Sequence, residues 1–301
     1  MQVLVAGASG FIGSALVERL RGAGHEIVRL VRRRATADDE VSWAPADGTI
    51  DATVMDRVDA VISLSGASLA HLPWTKRYRD EILQSRLDAT RTLTEAMRSA
   101  EHPPAVFLSA SAVGIYGDRP AELLTEHSAI GTGFLAEVVE RWEGQAALAP
   151  EATRTVMFRS GIVVGDGGGA LQRVATLTKL GLAGRLGTGE QYWPWIALED
   201  EVRAIEFLLD SQLAGPVNLA GPTPATAGEI TAELAEQLHR PHAFAVPERA
   251  LELALGVAAD ELLLASQKVR PQRLIDAGFR FAHLTVASAI AAMISGSRAP
   301  G

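Results

Sequence analysis

Cysteine is absent from the chain and lysine nearly so: three lysines (Lys76, Lys179, Lys268) stand against 25 arginines. The first absence excludes disulfides, thiolate catalysis and thiolate-bound zinc or iron–sulfur centres. The second leaves few residues for any lysine-dependent proton relay. Long apolar runs are missing too, since no stretch approaches the roughly 18 residues of a membrane span. The opening MQVLVAG has neither the charged region nor the apolar core of a signal peptide. These absences lead us to expect a cytoplasmic protein with no membrane partner. Net positive charge is also lacking: the formal charge is −8, which argues against general nucleic-acid binding, because phosphate neutralisation needs a basic face.

Several motifs are absent as well. There is no G-x-S-x-G nucleophile elbow. The glycines at Gly165 and Gly167 to Gly169 are not followed by Lys-Ser/Thr, so they form no Walker loop and read as a mobile substrate loop. The HRPH stretch (239–242) holds two histidines, but Pro241 disrupts the helix that would aim both at one ion, and no metal site is expected.

What is present is a regular alternation. QVLVA, EIVRLV (26–31), DAVISLSG (59–66), AVFLSAS (105–111) and RTVMFRSG (154–161) read as buried strands. Helical stretches follow at Phe11–Gly24, about Thr75–Ser99 and 133–148, and VSWAPADGTI (41–50) reads as a hairpin or excursion. Strand–helix alternation over some 160 residues predicts right-handed βαβ units and a parallel sheet covered on both faces. We therefore expect an α/β, Rossmann-like, doubly wound fold. The nucleotide-binding part would comprise 1–160 plus about 196–221, where EDEVRAIEFLLD is helical and GPVNLAG rejoins the sheet. A smaller, mostly helical substrate-side part would comprise about 161–195 plus 222–301.

GASGFIG (7–13) spaces its glycines as G-x-x-G-x-x-G directly after the first strand and opens a helix. Gly7, Gly10 and Gly13 suit a tight turn, close approach of a pyrophosphate, and helix-on-strand packing; the helix start offers free N–H groups to phosphate. After the second strand comes Arg32-Arg33-Arg34, with no acid until Asp38. An acid there would suit a ribose hydroxyl, whereas arginine suits a 2′-phosphate, so NADP(H) is the expected cofactor. Ser9 could add a hydroxyl to the same phosphate. The alternative is a solvated arginine run.

These motifs resemble a superfamily. GASGFIG, LSGA (64–67) and FLSASAVGIYG (107–117) are similar to the extended short-chain dehydrogenase/reductases. LPWTKRYRDEILQSRLDATRTLTEAM (72–97), FRSGIVVG (158–165) and VPERALELALGVAADELLLASQKVRPQRLIDAGFRF (246–281) narrow the likeness to its atypical epimerase-like family, with a helical C-terminal domain of unknown function. The resemblance implies NAD(P) on the glycine loop, including Phe11 and Ile12, and on Leu64, Ser65, Gly66 and Ala67 beneath the adenine–ribose side. It also places Ser109, Ala110 and Ser111 near the nicotinamide.

In that superfamily a Ser and a Y-x-x-x-K pair carry the proton chemistry, a phenol being drawn towards neutrality by an adjacent cation. Ser111 matches the serine. The Tyr and Lys positions hold Phe134 and Val138, and none of the three tyrosines begins a Y-x-x-x-K. Tyr116 is the substitute candidate, set against a packing role. Arg86, where the family often has Asn, would hold an anion, a cofactor phosphate or a substrate carboxylate, or else pair with Glu81 or Asp88. Arg159 would touch ligand or form a structural ion pair, and Trp193 and Trp195 could wall the cleft. Asp200 reads as a helix cap. Two functions stay open: an NADP(H)-binding epimerase, dehydratase or reductase acting on a small carbonyl or sugar-nucleotide-like substrate with non-standard residues, or a noncatalytic NADP(H)-responsive regulator, for example of cell division.

Overall fold

A computed structural model describes residues 1–181 and 184–296; the remaining seven, all within the expected smaller part, lie outside the described residues. The main sheet is built from β1 (Gln2–Ala6), β2 (Glu26–Val31), β3 (Glu40–Ala44), β4 (Thr49–Ile50), β5 (Ala60–Ser63), β6 (Val106–Ala112), β8 (Arg154–Ser160) and β13 (Gly215–Leu219). Their order is β13-β8-β6-β5-β1-β2-β3-β4. Every neighbouring pair is parallel except β3–β4. The doubly wound expectation holds, and GPVNLAG rejoins the sheet as its edge strand β13. VSWAPADGTI proves to be both things at once. β3 and β4 form a hairpin closed by Gly48 at φ +66°, while β3 also pairs in parallel with β2.

Period-2 alternation sends successive side chains to opposite helical layers. Val3, Val5, Ile62 and Leu108 meet α1 (Phe11–Gly22) and α5 (Leu198–Asp210). Leu4, Ala6, Val61 and Phe107 meet α2 (Lys76–Ser99) and α3 (Phe134–Ala146). The chain reverses direction across the sheet between β1 and β5, and a crevice opens there at the strands' carboxyl ends.

Four short pairings extend beyond this edge: β7 (Arg119–Leu124) with β16 (Gln267–Val269), β9 (Ile162–Val164) with β12 (Trp195–Ala197), β10 (Gly184–Leu186) with β15 (Phe244–Val246), and β11 (Tyr192–Trp193) with β14 (Ala225–Thr226). With α4 (Ala170–Lys179), α6 (Ala227–Gln237) and the helix Val286–Gly296 they enclose a second apolar core around Trp193, Trp195, Leu234 and Ile290. Among the described residues no helix is long and apolar enough to cross a membrane.

Candidate functional site

At the end of β1 the chain turns through Gly7, at φ +84°, a backbone region that favours glycine. A Cβ on Gly13 would stand 2.1 Å from the Gly7 carbonyl oxygen, so only glycine lets α1 start this close to the strand. Gly10 caps α1 without a side-chain hydrogen bond, and the first turn carries no acid. The leading N–H groups therefore remain open to an anion. A cleft at this point is bordered by Ser9, Gly10, Phe11, Ser14, Asp166 and Gly167. The second glycine cluster borders this cleft: Gly165, Gly168 and Gly169 pack on the Phe11 ring, and a Cβ on Gly168 would lie 2.6 Å from it. Ile12 and Leu64 are half-buried against the core beneath.

Of the three arginines after β2, the first two differ. Arg33 grips Glu40 with both prongs (Nη1–Oε2 2.8 Å, Nη2–Oε1 2.6 Å). The Arg33 guanidinium, helped by the Thr36 N–H, holds that carboxyl down to about 2. Arg32 is exposed and has no hydrogen bond or ion pair among the described residues.

Alternation along the strands decides the fate of the expected catalytic residues. Val156 and Phe158 face α5, so Arg159 faces α3 and meets Glu143 there (Nε–Oε1 2.7 Å, Nη2–Oε2 2.8 Å). The Ser111 hydroxyl donates to the same Oε1 at 2.5 Å. The Tyr116 hydroxyl accepts from Arg159 Nη1 (3.0 Å) and donates to Asn218 Oδ1 (2.7 Å). Tyr116 is fully buried, and burial raises its phenol above the usual range despite Arg159. Burial alone would lower the Arg159 guanidinium, but Glu143 outweighs it and raises the value. Tyr116 thus packs in an apolar cluster with its hydroxyl hydrogen-bonded, and Arg159 forms an ion pair. Ser109 is also fully buried, donating to the Ala110 carbonyl (3.2 Å), and Ala110 packs against the α1/α5 core.

A separate cavity of about 140 Å³ lies between α2, α3 and the segment following β8. Leu135, Val138, Trp142, Trp193 and Ile162 supply apolar walls; Arg86, Ser160, Glu261 and Gln267 supply the polar ones. Val138, at the expected lysine position, thus contributes hydrocarbon. Phe134, at the tyrosine position, packs edge-on against Trp74 at 5.7 Å. Trp195 is core, its indole donating to the Thr223 carbonyl.

Arg86 reaches this cavity, not the glycine-loop cleft. Its Nη1 donates to the carbonyls of Ile82 (2.9 Å) and Ala67 (3.2 Å), and its guanidinium lies 5.2 Å from the Trp142 ring. Burial pulls its proton affinity down to about 10. Gly66 passes so near that a Cβ would come within 3.2 Å of Arg86. Ala67 is also pinned by its N–H to Ser85 Oγ at 2.9 Å, and Ser65 is half-buried.

Three carboxylates were not anticipated. Glu143 shares the α3 stripe with buried Val139, four residues earlier, a signal readable in advance. Glu201 is fully buried on α5 in line with Ile205 and Leu208; it accepts from Ser160 Oγ at 2.5 Å, while its Oε2 has no partner among the described residues. Burial raises this carboxyl to about 8. Glu261, which no local pattern marks, accepts from the Phe134 and Leu135 N–H groups (2.6 and 3.1 Å) and so caps α3. Asp200 does not cap its own helix, whose cap residue is Ala197; it accepts from the N–H groups of Ala282 and His283 and from Arg203.

Comparison with known proteins places this geometry. Residues 3–220 match the NAD dependent epimerase/dehydratase family, and residues 246–293 match a domain of unknown function, DUF1731. Epimerase family protein MT2273 of Mycobacterium tuberculosis is 40% identical over 290 residues, 96% of each chain. A crystal structure of human epimerase family protein SDR39U1 (isoform 2) with NADPH superposes with a TM-score of 0.90 at 29% identity, covering 98% of this chain and 99% of that one. A nucleoside-diphosphate sugar epimerase from Corynebacterium glutamicum gives 0.80 at 30% identity, covering 98% of this chain and 58% of that one.

Proposed function

Because the chain belongs to the NAD dependent epimerase/dehydratase family, we propose that it binds NADP(H) in the crevice between β1 and β5. One observation carries this: Gly13 has no room for a Cβ, and the α1 start beside it is uncapped, which is the shape a pyrophosphate needs. Ser9, Gly10, Phe11 and Ile12 complete the cradle, and Leu64, Ser65, Gly66 and Ala67 run along the adenine–ribose side. The 2′-phosphate falls to Arg32, whose donors are free, while Arg33 is held back by Glu40. The NADPH in the human relative supports a phosphate-bearing cofactor.

When bound, NADP(H) supplies two-electron transfer at its nicotinamide. The substrate side is the cavity beside α3, fitted to a small carbonyl compound or to part of a sugar-nucleotide-like one. Residues 1–160 with about 196–221 form the cofactor part, and about 161–195 with 222–301 the substrate part. Without a Y-x-x-x-K, protons come from a group outside the superfamily's usual set or from water. Ser111 and Tyr116 then act as positioning residues for Arg159 and the end of β6.

Thermal shift with NADPH and NADH tests the cofactor claim: a larger shift with NADPH, reduced in Arg32→Ala, is expected, and equal shifts would sink it. Loss of reduced-nicotinamide absorbance across a panel of carbonyl compounds and nucleotide sugars tests turnover. Tight NADPH binding without consumption anywhere in the panel favours the regulator.

A further inference from the structure

We propose that the cavity beside α3 binds a small organic anion, a carboxylate carried on an apolar or aromatic body, with Arg86 as its anchor. The inference takes from the proposed function only that this cavity is the substrate side. Arg86 is a cation without a counter-charge. Asp88 is taken by Arg91 at 2.8 Å, and Glu81 makes no pair with Arg86. The only acceptors on Arg86 among the described residues are two backbone carbonyls, both on Nη1. Nε and Nη2 are left over on a side chain that borders the cavity. A shielded guanidinium lacking an acid is costly, and its fork geometry matches a carboxylate. The Trp142 face eases that cost without neutralising the charge.

The walls set the rest of the ligand. Val138, Trp142 and Trp193 offer hydrocarbon and aromatic surface. The volume of about 140 Å³ is close to the roughly 150 Å³ known to admit a benzene ring. A ring or short chain bearing one carboxylate fits that space, whereas a whole sugar nucleotide does not. The other charge at the wall, Glu261, does not repel such a ligand strongly, because its carboxylate is already engaged by two N–H groups at the positive end of α3. Ser160 and Gln267 border the far end as neutral groups, the Ser160 hydroxyl donating to Glu201 and the Gln267 amide to the Gly117 carbonyl.

Benzoate and its neutral isostere benzamide separate charge recognition from shape. Calorimetric titration of the full-length protein should give saturable benzoate binding, with benzamide at least about tenfold weaker. Arg86→Met, of similar length and no charge, should lose benzoate affinity at least about tenfold, and Arg86→Lys should retain part of it. The proposal is overturned by equal binding of benzoate and benzamide, by no saturable benzoate binding, or by wild-type benzoate affinity in a folded Arg86→Met. If Arg86→Met does not fold, the benzoate–benzamide comparison on the wild type decides alone. NADPH titration runs in parallel and needs no benzoate. NADPH binding lost in the wild type with benzoate binding intact would remove the cofactor reading and leave the anion site standing.

Discussion

Arg159 and Glu143 form a two-pronged pair, Nε to Oε1 at 2.7 Å and Nη2 to Oε2 at 2.8 Å, with both side chains almost wholly removed from water. Ser111 shares the carboxylate and Tyr116 shares the guanidinium, so the pair joins β6, β8 and α3 under the carboxyl edge. Four polar residues under that edge are thereby bound to one another.

Removing one partner of this pair should be far worse than trimming its edge. Glu143→Leu strands the Arg159 charge in a buried site and is expected to lower unfolding free energy by about 3–5 kcal/mol. Tyr116→Phe leaves Asn218 Oδ1 and Arg159 Nη1 each one bond short, at about 1–3 kcal/mol. Urea denaturation of both variants checks the ranking; a Tyr116→Phe loss equal to or above that of Glu143→Leu would contradict it.

Gly13→Ala should abolish the cradle. Its Cβ meets a backbone oxygen at 2.1 Å, which no side-chain rotation relieves, so α1 must move. The expected result is a fall in NADPH affinity of at least about tenfold together with a lower melting temperature. Gly22→Ala is the matched control. It sits in the same helix with nothing within 4 Å, and should stabilise by about 0.5–1 kcal/mol with NADPH binding unchanged.

Arg32 and Arg33, the first two of the three arginines after β2, should separate functionally. Arg32→Ala is expected to erase the preference for NADPH over NADH. Arg33→Ala should keep most of that preference, because Arg33 is already committed to Glu40. Paired titrations of each variant with both cofactors read this directly, and equal loss in the two variants would refute the assignment.

Glu201 predicts an unusual pH dependence. Its carboxyl titrates near 8 when folded, against an ordinary 4.5 when unfolded, because burial penalises the charge. Below the unfolded value both states are neutral and nothing is lost. As pH rises from about 4.5 to about 8, the unfolded chain releases this proton while the folded one keeps it, and stability falls. Glu201→Gln keeps the Ser160 contact without the ionisation. It should be more stable than wild type at pH 7, by roughly 3 kcal/mol, and lose that part of the pH slope. Melting curves at pH 5, 6, 7 and 8 measure both, and parallel wild-type and variant profiles would sink the claim.

The sequence by itself determined the doubly wound sheet, the glycine cradle and the family, because each is written in local period and spacing: apolar runs for strands buried on both faces, glycines three apart at a strand–helix junction, and family-like segments spread along the whole chain. It also determined that no Y-x-x-x-K exists. Only the tertiary structure decided which polar side chains are free. Arg32 and Arg33 are neighbours in sequence and both exposed, yet among the described residues one has no partner and the other is locked to Glu40 across the β2–β3 connection. Arg159 and Ser160 are neighbours too, and pleating sends them to opposite layers, one to Glu143 on α3 and the other to Glu201 on α5. Whether a charge is spent or available depends on partners brought from 7 to 127 residues away, and spacing along a chain does not encode that distance in space.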